Sequence, residues 1–170
     1  MKLAKSLDRL GTETAFSVLA EAKKLEATGK PMIHLGLGQP DFKTPKHVVD
    51  AAKKALDDGH HGYVLSNGIL ECRQAVSRKI KTLYNQDADP ERIIIMPGGK
   101  PTMHYAIQCF GEPGVEIIHP TPAFPIYESM INYTGSTPVP YDLTKDKDLK
   151  FNAEEILSLI TDKTLSLIHI

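Results

Sequence analysis

The sequence contains no apolar run approaching the roughly 20 residues that cross a bilayer, so it holds no helical membrane span. It also lacks an excess of charge: 20 Lys and Arg against 21 Asp and Glu leave a net charge of −1. That balance gives no electrostatic reason to expect nucleic acid or an anionic membrane as a partner. Its start, M-K-L-A-K-S-L-D-R-L, has no secretory h-region, and a cytoplasmic location is expected. Only two cysteines occur, Cys72 and Cys109, both in helix-like stretches without an activating motif. They are expected to be reduced, packed thiols, which excludes a disulfide framework. No metal-ligand spacing is present. His60-His61 are adjacent, their side chains diverge on any regular element, and a solvated loop before Gly62 is the expectation. There is no internal repeat and no low-complexity tract.

What the chain does have is the junction Pro97-Gly98-Gly99-Lys100-Pro101-Thr102-Met103, directly after the apolar run Arg92–Met96. A β-rich run feeds two glycines, a lysine and a proline suited to the first turn of a helix. Small residues let backbone approach a ligand closely. A helix starting there points N–H groups and the positive end of its dipole into the turn. That arrangement suits a phosphate, and Lys100 adds a full positive charge. Two glycines between a strand and a helix also make an ordinary tight turn, so the motif alone leaves both readings open.

Periodicity organises the rest. Ala15, Phe16, Leu19, Ala22 and Leu25 have helical spacing within Thr12–Ala27, and Gly29 and Pro31 end that helix. Met32–Leu37 is expected to be extended. Thr44-Pro45 are read as N-cap and first residue of a helix whose buried stripe is Val48, Val49, Ala52 and Leu56, ending at Gly59. A third helix is expected over Ile69–Tyr84, with Ile69, Val76, Ile80 and Leu83 on one face. Then follow a strand at Arg92–Met96, a helix at Pro101–Phe110, a strand at Val115–His119, a helix at Pro122–Tyr133 and a strand at Thr137–Tyr141. Asn152-Ala153-Glu154-Glu155 has capping-box spacing for a helix to Ile160, and Leu165–Ile170 is strand-like. Strands alternating with helices from Arg92 onward predict an α/β sheet, with ligands at the carboxyl ends of its strands.

Four features fall in order around the glycine turn. They are Leu35-Gly36-Leu37-Gly38-Gln39-Pro40-Asp41-Phe42; Gly62-Tyr63 with Ser66-Asn67-Gly68 and Glu71-Cys72-Arg73; the turn itself; and Pro120-Thr121-Pro122-Ala123-Phe124-Pro125-Ile126-Tyr127. In this order and spacing, over about Leu7–Thr164, the chain resembles the N-terminal part of class I/II aminotransferases, in the aspartate-aminotransferase-like branch. These are fold-type-I enzymes that use pyridoxal 5′-phosphate. The resemblance implies an α/β fold: the N-terminal half of a three-layer α/β/α large domain with a mostly parallel sheet, truncated, preceded by a helical arm. It implies that Gly98, Gly99 and Lys100 hold the cofactor phosphate and that Phe124 stacks on the pyridine ring, where many relatives carry tryptophan or tyrosine. It implies that Tyr63 reaches the cofactor phosphate of a partner subunit in a homodimer, and that the backbone of Gly38 lies beside the substrate carboxylate. The bland alternatives are a core aromatic for Phe124, a half-buried loop tyrosine for Tyr63 and plain flexibility for Gly36 and Gly38. Arg73 is read as structural, a helix-surface ion-pair residue.

The same resemblance implies what is missing. The family's Schiff-base lysine, the acidic residue facing the pyridine nitrogen and the arginine clamping the substrate carboxylate all lie beyond residue 170. No lysine here is expected to be catalytic, and no metal is expected. The implied domains are an arm over 1–45, a partial cofactor-binding domain over 46–164 and a tail over 165–170. That tail, Leu165-Ser166-Leu167-Ile168-His169-Ile170, matches the translation of CTGTCTCTTATACACATC, a transposase-end adapter of sequencing libraries, and is expected to be non-native. A real apolar strand is the other reading of it. The expected function is a fragment of an enzyme that moves an amino group between an amino acid and a 2-oxo acid, inactive by itself. A related fold-type-I lyase and a catalytically idle regulator are the alternatives. A dinucleotide-binding domain would require Gly-x-Gly-x-x-Gly, which Pro97–Pro101 does not fit.

Overall fold

The computed structural model describes residues 3–11, 14–36 and 38–168, with the side chains of 14 and 15 left aside. The expected helix start at Thr12, Leu37 at the end of the extended stretch, and the last two tail residues lie outside these. The chain falls into two compact units, residues 1–36 with 98–170, and residues 37–97.

The first unit holds the sheet. Helix α1 spans Thr14–Glu26, α4 Gly99–Phe110, α5 Ile126–Thr134 and α6 Ala153–Ser158. Strands β1 (Glu116–Thr121), β2 (Thr137–Asp142) and β3 (Thr164–Leu167) are parallel in the order β2-β1-β3. Side chains alternate along the central strand β1. Ile117 enters a cluster with Ile107 of α4 and Tyr127, Met130 and Ile131 of α5. Ile118 enters another with Tyr141 of β2 and Ile156 of α6. Helices therefore cover both faces, the three-layer α/β/α arrangement. β1 is buried on both sides, which is why it reads as a continuous apolar run. In the β1–β3 pairing Glu116 faces Thr164 and Ile117 faces Ser166, so Leu165 is the extra residue of an irregularity. The segment before α1 is tied to this unit: Arg9 Nε and Nη2 donate to the carbonyls of Asn132 (2.8 Å) and Tyr133 (2.7 Å), at the C-terminal end of α5 where a cation is favoured.

The second unit holds α2, Lys46–Asp57, and α3, Leu70–Tyr84. Several expectations are corrected here. The Arg92–Met96 run forms no strand: Pro90–Arg92 is a 3₁₀ turn, and Ile95 N–H donates to Asn67 O at 3.1 Å without ladder partners. A strand exists only when paired, and this run finds no strand beside it in its unit. The apolar stripe of α2 is not buried, with Val48 47% and Leu56 62% exposed. The N-cap of α2 is Pro45 rather than Thr44, and no side chain caps it.

In the first unit α5 starts at Ile126, not Pro122, with Pro125 as its N-cap. Prolines at 122 and 125 bias the residues before them away from helical geometry. The helix expected to reach Ile160 stops at Ser158. Its capping box is half formed: Asn152 Oδ1 accepts from Glu154 N (2.9 Å) and Glu155 N (3.4 Å), while the Glu155 carboxylate pairs with Lys145 instead. Cys109 is exposed rather than packed, and both cysteines are free. Among the described residues no helix is long and apolar enough to cross a membrane, and no group of His, Cys, Asp or Glu is placed to hold a metal.

Candidate functional site

The glycine turn is built from the backbone upward. Gly98 is the N-cap of α4 at φ 97°, ψ 170°, a conformation essentially reserved for glycine. A Cβ there would meet no atom within 4 Å, so the requirement comes from the backbone, and the space above the helix start is open. No side chain caps α4. Pro101 sits in the first helical turn, where its missing N–H costs nothing. The turn thus presents the positive end of a 12-residue helix to an open space, without a carboxylate of its own in the first turn.

Lys100 and Phe124 converge on this turn. Lys100 Nζ lies 5.6 Å from the centroid of the Phe124 ring and 5.5 Å from that of Phe16 on α1, both within cation–π range. Phe124 packs on the Ile107–Ile117 cluster and meets Tyr127 edge to face, with centroids 6.2 Å apart. A half-buried aromatic at the carboxyl end of the central strand is thereby fixed beside the start of α4, the position where open α/β sheets take ligands. A cavity of about 250 Å³ adjoins Lys100, lined also by Leu10, Gly11, Pro125, Ser129 and Met130. A larger apolar groove of about 380 Å³ runs beside α4 and β3, past Met103, Phe110 and Leu167. It offers few polar groups, so a phosphate fits the turn better than the groove.

Four of the residues singled out from sequence, Gly98, Gly99, Lys100 and Phe124, are thus brought together. Tyr63 and Gly38 belong to the 37–97 unit. Tyr63 is fully exposed and lines a cavity of about 530 Å³ with His60, Val64, Ile69 and Glu71, not the half-buried environment of the bland reading. Gly38 is exposed, with nothing within 4 Å of an added Cβ. Arg73 is not on the helix surface: it is 2% exposed.

Sequence reasoning missed Phe16 as a neighbour of the turn, since it read only as one residue of an apolar helical stripe. It also missed the burial of Tyr127. Burial holds the Tyr127 phenol above its ordinary pKa, and its hydroxyl has no hydrogen-bond partner among the described residues.

The sequence pattern of the family described as aminotransferase class I and II matches residues 30–169. The chain belongs to that family. Its members depend on pyridoxal 5′-phosphate. The chain is 33% identical to the aspartate aminotransferase of Bacillus subtilis over 168 residues, 99% of this chain and 43% of that one. It is 36% identical to the (5-formylfuran-3-yl)methyl phosphate transaminase of Methanocaldococcus jannaschii, over 98% of this chain and 43% of that one. Among solved structures, the aspartate aminotransferase of Thermus thermophilus with maleate superposes with a TM-score of 0.91 at 29% identity, over 98% of this chain and 44% of that one. The fold is that of a class I/II aminotransferase, and the chain spans about 43% of the length of the curated relatives it matches.

The residues present fit the family's cofactor. A glycine-only N-cap, an open helix start and a lysine suit a phosphate, and Phe124 beside them offers a flat face for a heteroaromatic ring.

Proposed function

We propose that this chain is the N-terminal part of a pyridoxal-phosphate-dependent aminotransferase that moves an amino group between an amino acid and a 2-oxo acid. One observation carries the reading. The aromatic ring of Phe124 and the glycine start of α4 come together through Lys100, whose Nζ is 5.6 Å from the ring centroid.

When bound, the cofactor supplies the electron sink for chemistry at the substrate α-carbon. The chain's own residues hold it. Gly98 and Gly99 open the helix start to the phosphate, and Lys100 adds charge to it. Phe124 lies against the ring and limits its tilt. Tyr63 donates to the phosphate bound by a second copy, so the complete enzyme is a homodimer. The Gly38 backbone borders the substrate carboxylate, where the lack of a side chain leaves room. Residues 1–45 serve as arm, 46–164 as part of the cofactor domain, and 165–170 are a non-native tail derived from a sequencing adapter.

Removing the α-proton and clamping the carboxylate need a lysine and an arginine that match no motif of this chain. The 170-residue chain is therefore inactive by itself. The test supplies it, and the complete protein, with pyridoxal 5′-phosphate, an amino acid and a labelled 2-oxo acid. Aspartate is the first amino acid to try, being named in the Bacillus and Thermus relatives. Labelled amino acid should form with the complete protein alone. Formation by the chain alone would overturn the inactivity, and ammonia release without amino transfer by the complete protein would replace the transaminase with a lyase.

A further inference from the structure

Among the described residues of the 37–97 unit, Arg73 is the one buried side chain. Its Nε donates to Gly68 O (3.1 Å), and its Nη1 donates to Pro90 O (2.9 Å) and to Glu91 Oε1 (2.8 Å). A lysine cannot reproduce this set, because its single ammonium has no planar fork.

The Gly68 carbonyl belongs to a tight turn closed by Gly68 N–H donating to Leu65 O at 2.9 Å. Gly68 sits at φ 96°, and a Cβ on it would lie 2.7 Å from Ile95 Cγ1. Ile95 N–H donates to Asn67 O at 3.1 Å. The 65–68 turn is therefore gripped by a guanidinium, by a backbone bond and by the Ile95 side chain.

The other end of the same loop is also tied. As α2 runs out, Gly59 N–H donates to Leu56 O (3.0 Å) and His60 N–H to Ala55 O (2.9 Å). Tyr63 stands between these two anchors, fully exposed. An exposed ring has no packing of its own to fix it. Its position is set by the ends of its loop.

We propose that Arg73 is a positioning residue for Tyr63: its buried guanidinium holds the 65–68 anchor so that the tyrosine is presented in one place to a phosphate of a second subunit. This rests on the reading of Tyr63 given under Proposed function. It assigns the Glu-Cys-Arg segment a part in cofactor affinity beyond an ion pair.

The experiment is a double-mutant cycle in the complete enzyme, with pyridoxal 5′-phosphate affinity measured by absorbance titration and melting temperature measured alongside. Tyr63→Phe should weaken cofactor binding roughly 10- to 100-fold, the loss of a hydrogen bond to a charged group. Arg73→Lys should weaken it severalfold in the parent and leave it unchanged in the Tyr63→Phe background. The melting temperature should fall by the same amount in both backgrounds, which measures the lost contacts of a buried guanidinium; a merely structural arginine would also add its affinity cost in full to that of Tyr63→Phe, and that additivity overturns the proposal. If Tyr63→Phe binds cofactor like the parent, the reading of Tyr63 fails, and the role of Arg73 with it. Should Arg73→Lys not fold, Glu91→Gln, which weakens one of the three contacts, carries the same cycle with a smaller effect of the same sign.

Discussion

Gly98 and Gly99 are neighbours in sequence, yet replacing each by alanine should move stability in opposite directions. At Gly98 the backbone stands at φ 97°, ψ 170°. A side chain forced into that region costs on the order of 1–3 kcal/mol. No steric term adds to it, because nothing lies within 4 Å of the new Cβ. At Gly99 the backbone is helical, and the new Cβ meets only Met103 Cε at 3.6 Å, an ordinary contact. Alanine there gains the helix preference over glycine, up to about 1 kcal/mol. The two variants should therefore differ by roughly 1.5–4 kcal/mol. Urea unfolding of the 170-residue chain, followed by far-ultraviolet circular dichroism, reads the difference as a midpoint shift at constant slope. Gly98→Ala should move the midpoint down and Gly99→Ala should hold or raise it. Equal shifts in the same direction would refute the assignment of strain to Gly98, and with it the built-in opening at the start of α4.

Three other outcomes follow from the same coordinates. Tyr127→Phe should leave this chain as stable as before or more so, because it removes a buried hydroxyl without a partner among the described residues. The raised phenol pKa favours the neutral folded form, so the parent loses stability as pH rises above the unfolded tyrosine value of about 10, and the variant should lose less; unfolding midpoints at pH 8–11 check this. Asp142 is held below the usual carboxylate range by the hydroxyl (2.7 Å) and amide (2.8 Å) of Thr144. Its stabilisation is present above the unfolded value of about 4 and is lost as pH falls through the folded one, so Asp142→Asn should flatten the acid limb of stability between about pH 2 and 6. Asn152→Ala should cost about 1 kcal/mol by uncapping α6, seen as a lower urea midpoint.

How much was legible follows the range of the forces involved. Helices α3 and α4 and strands β1 and β2 were readable to within a few residues because their signals are local: period, proline, glycine. The run Arg92–Met96 was misread because a strand is a pairing, and apolar β-branched residues do not say whether a partner lies alongside. The α2 stripe was read correctly as a stripe and wrongly as buried, since spacing defines a face but not what covers it. Arg73 was misread because an arginine on a helix ordinarily faces water, and three acceptors from residues 68, 90 and 91 are not visible in a helical pattern. Around the glycine turn, Gly98, Lys100 and Phe124 stand out in sequence through their motifs. Phe16 did not, because its approach to Lys100 depends on how α1 lies against the sheet.

The two segments to which cofactor roles are proposed are held by different physics. The phosphate end stands on apolar packing: Ile107 beneath α4 and Met130 and Ile131 beneath α5 lock both helices onto β1, and Phe124 rests on the same cluster. Such a platform loses stability in proportion to the area uncovered and carries no requirement for one orientation of a polar group. The Tyr63 loop stands instead on a guanidinium with fixed directions. Replacing it leaves the Gly68 and Pro90 carbonyls without their donor, a cost added to the lost pairing with the exposed Glu91 carboxylate. Apolar substitutions under α4 should therefore be absorbed gradually by the turn, whereas the loop should respond to a change of side-chain geometry at Arg73 even when its charge is kept. That difference suits the roles proposed for them: a phosphate seated on a helix start would need a stable floor, and an exposed tyrosine reaching a second subunit would need a fixed direction.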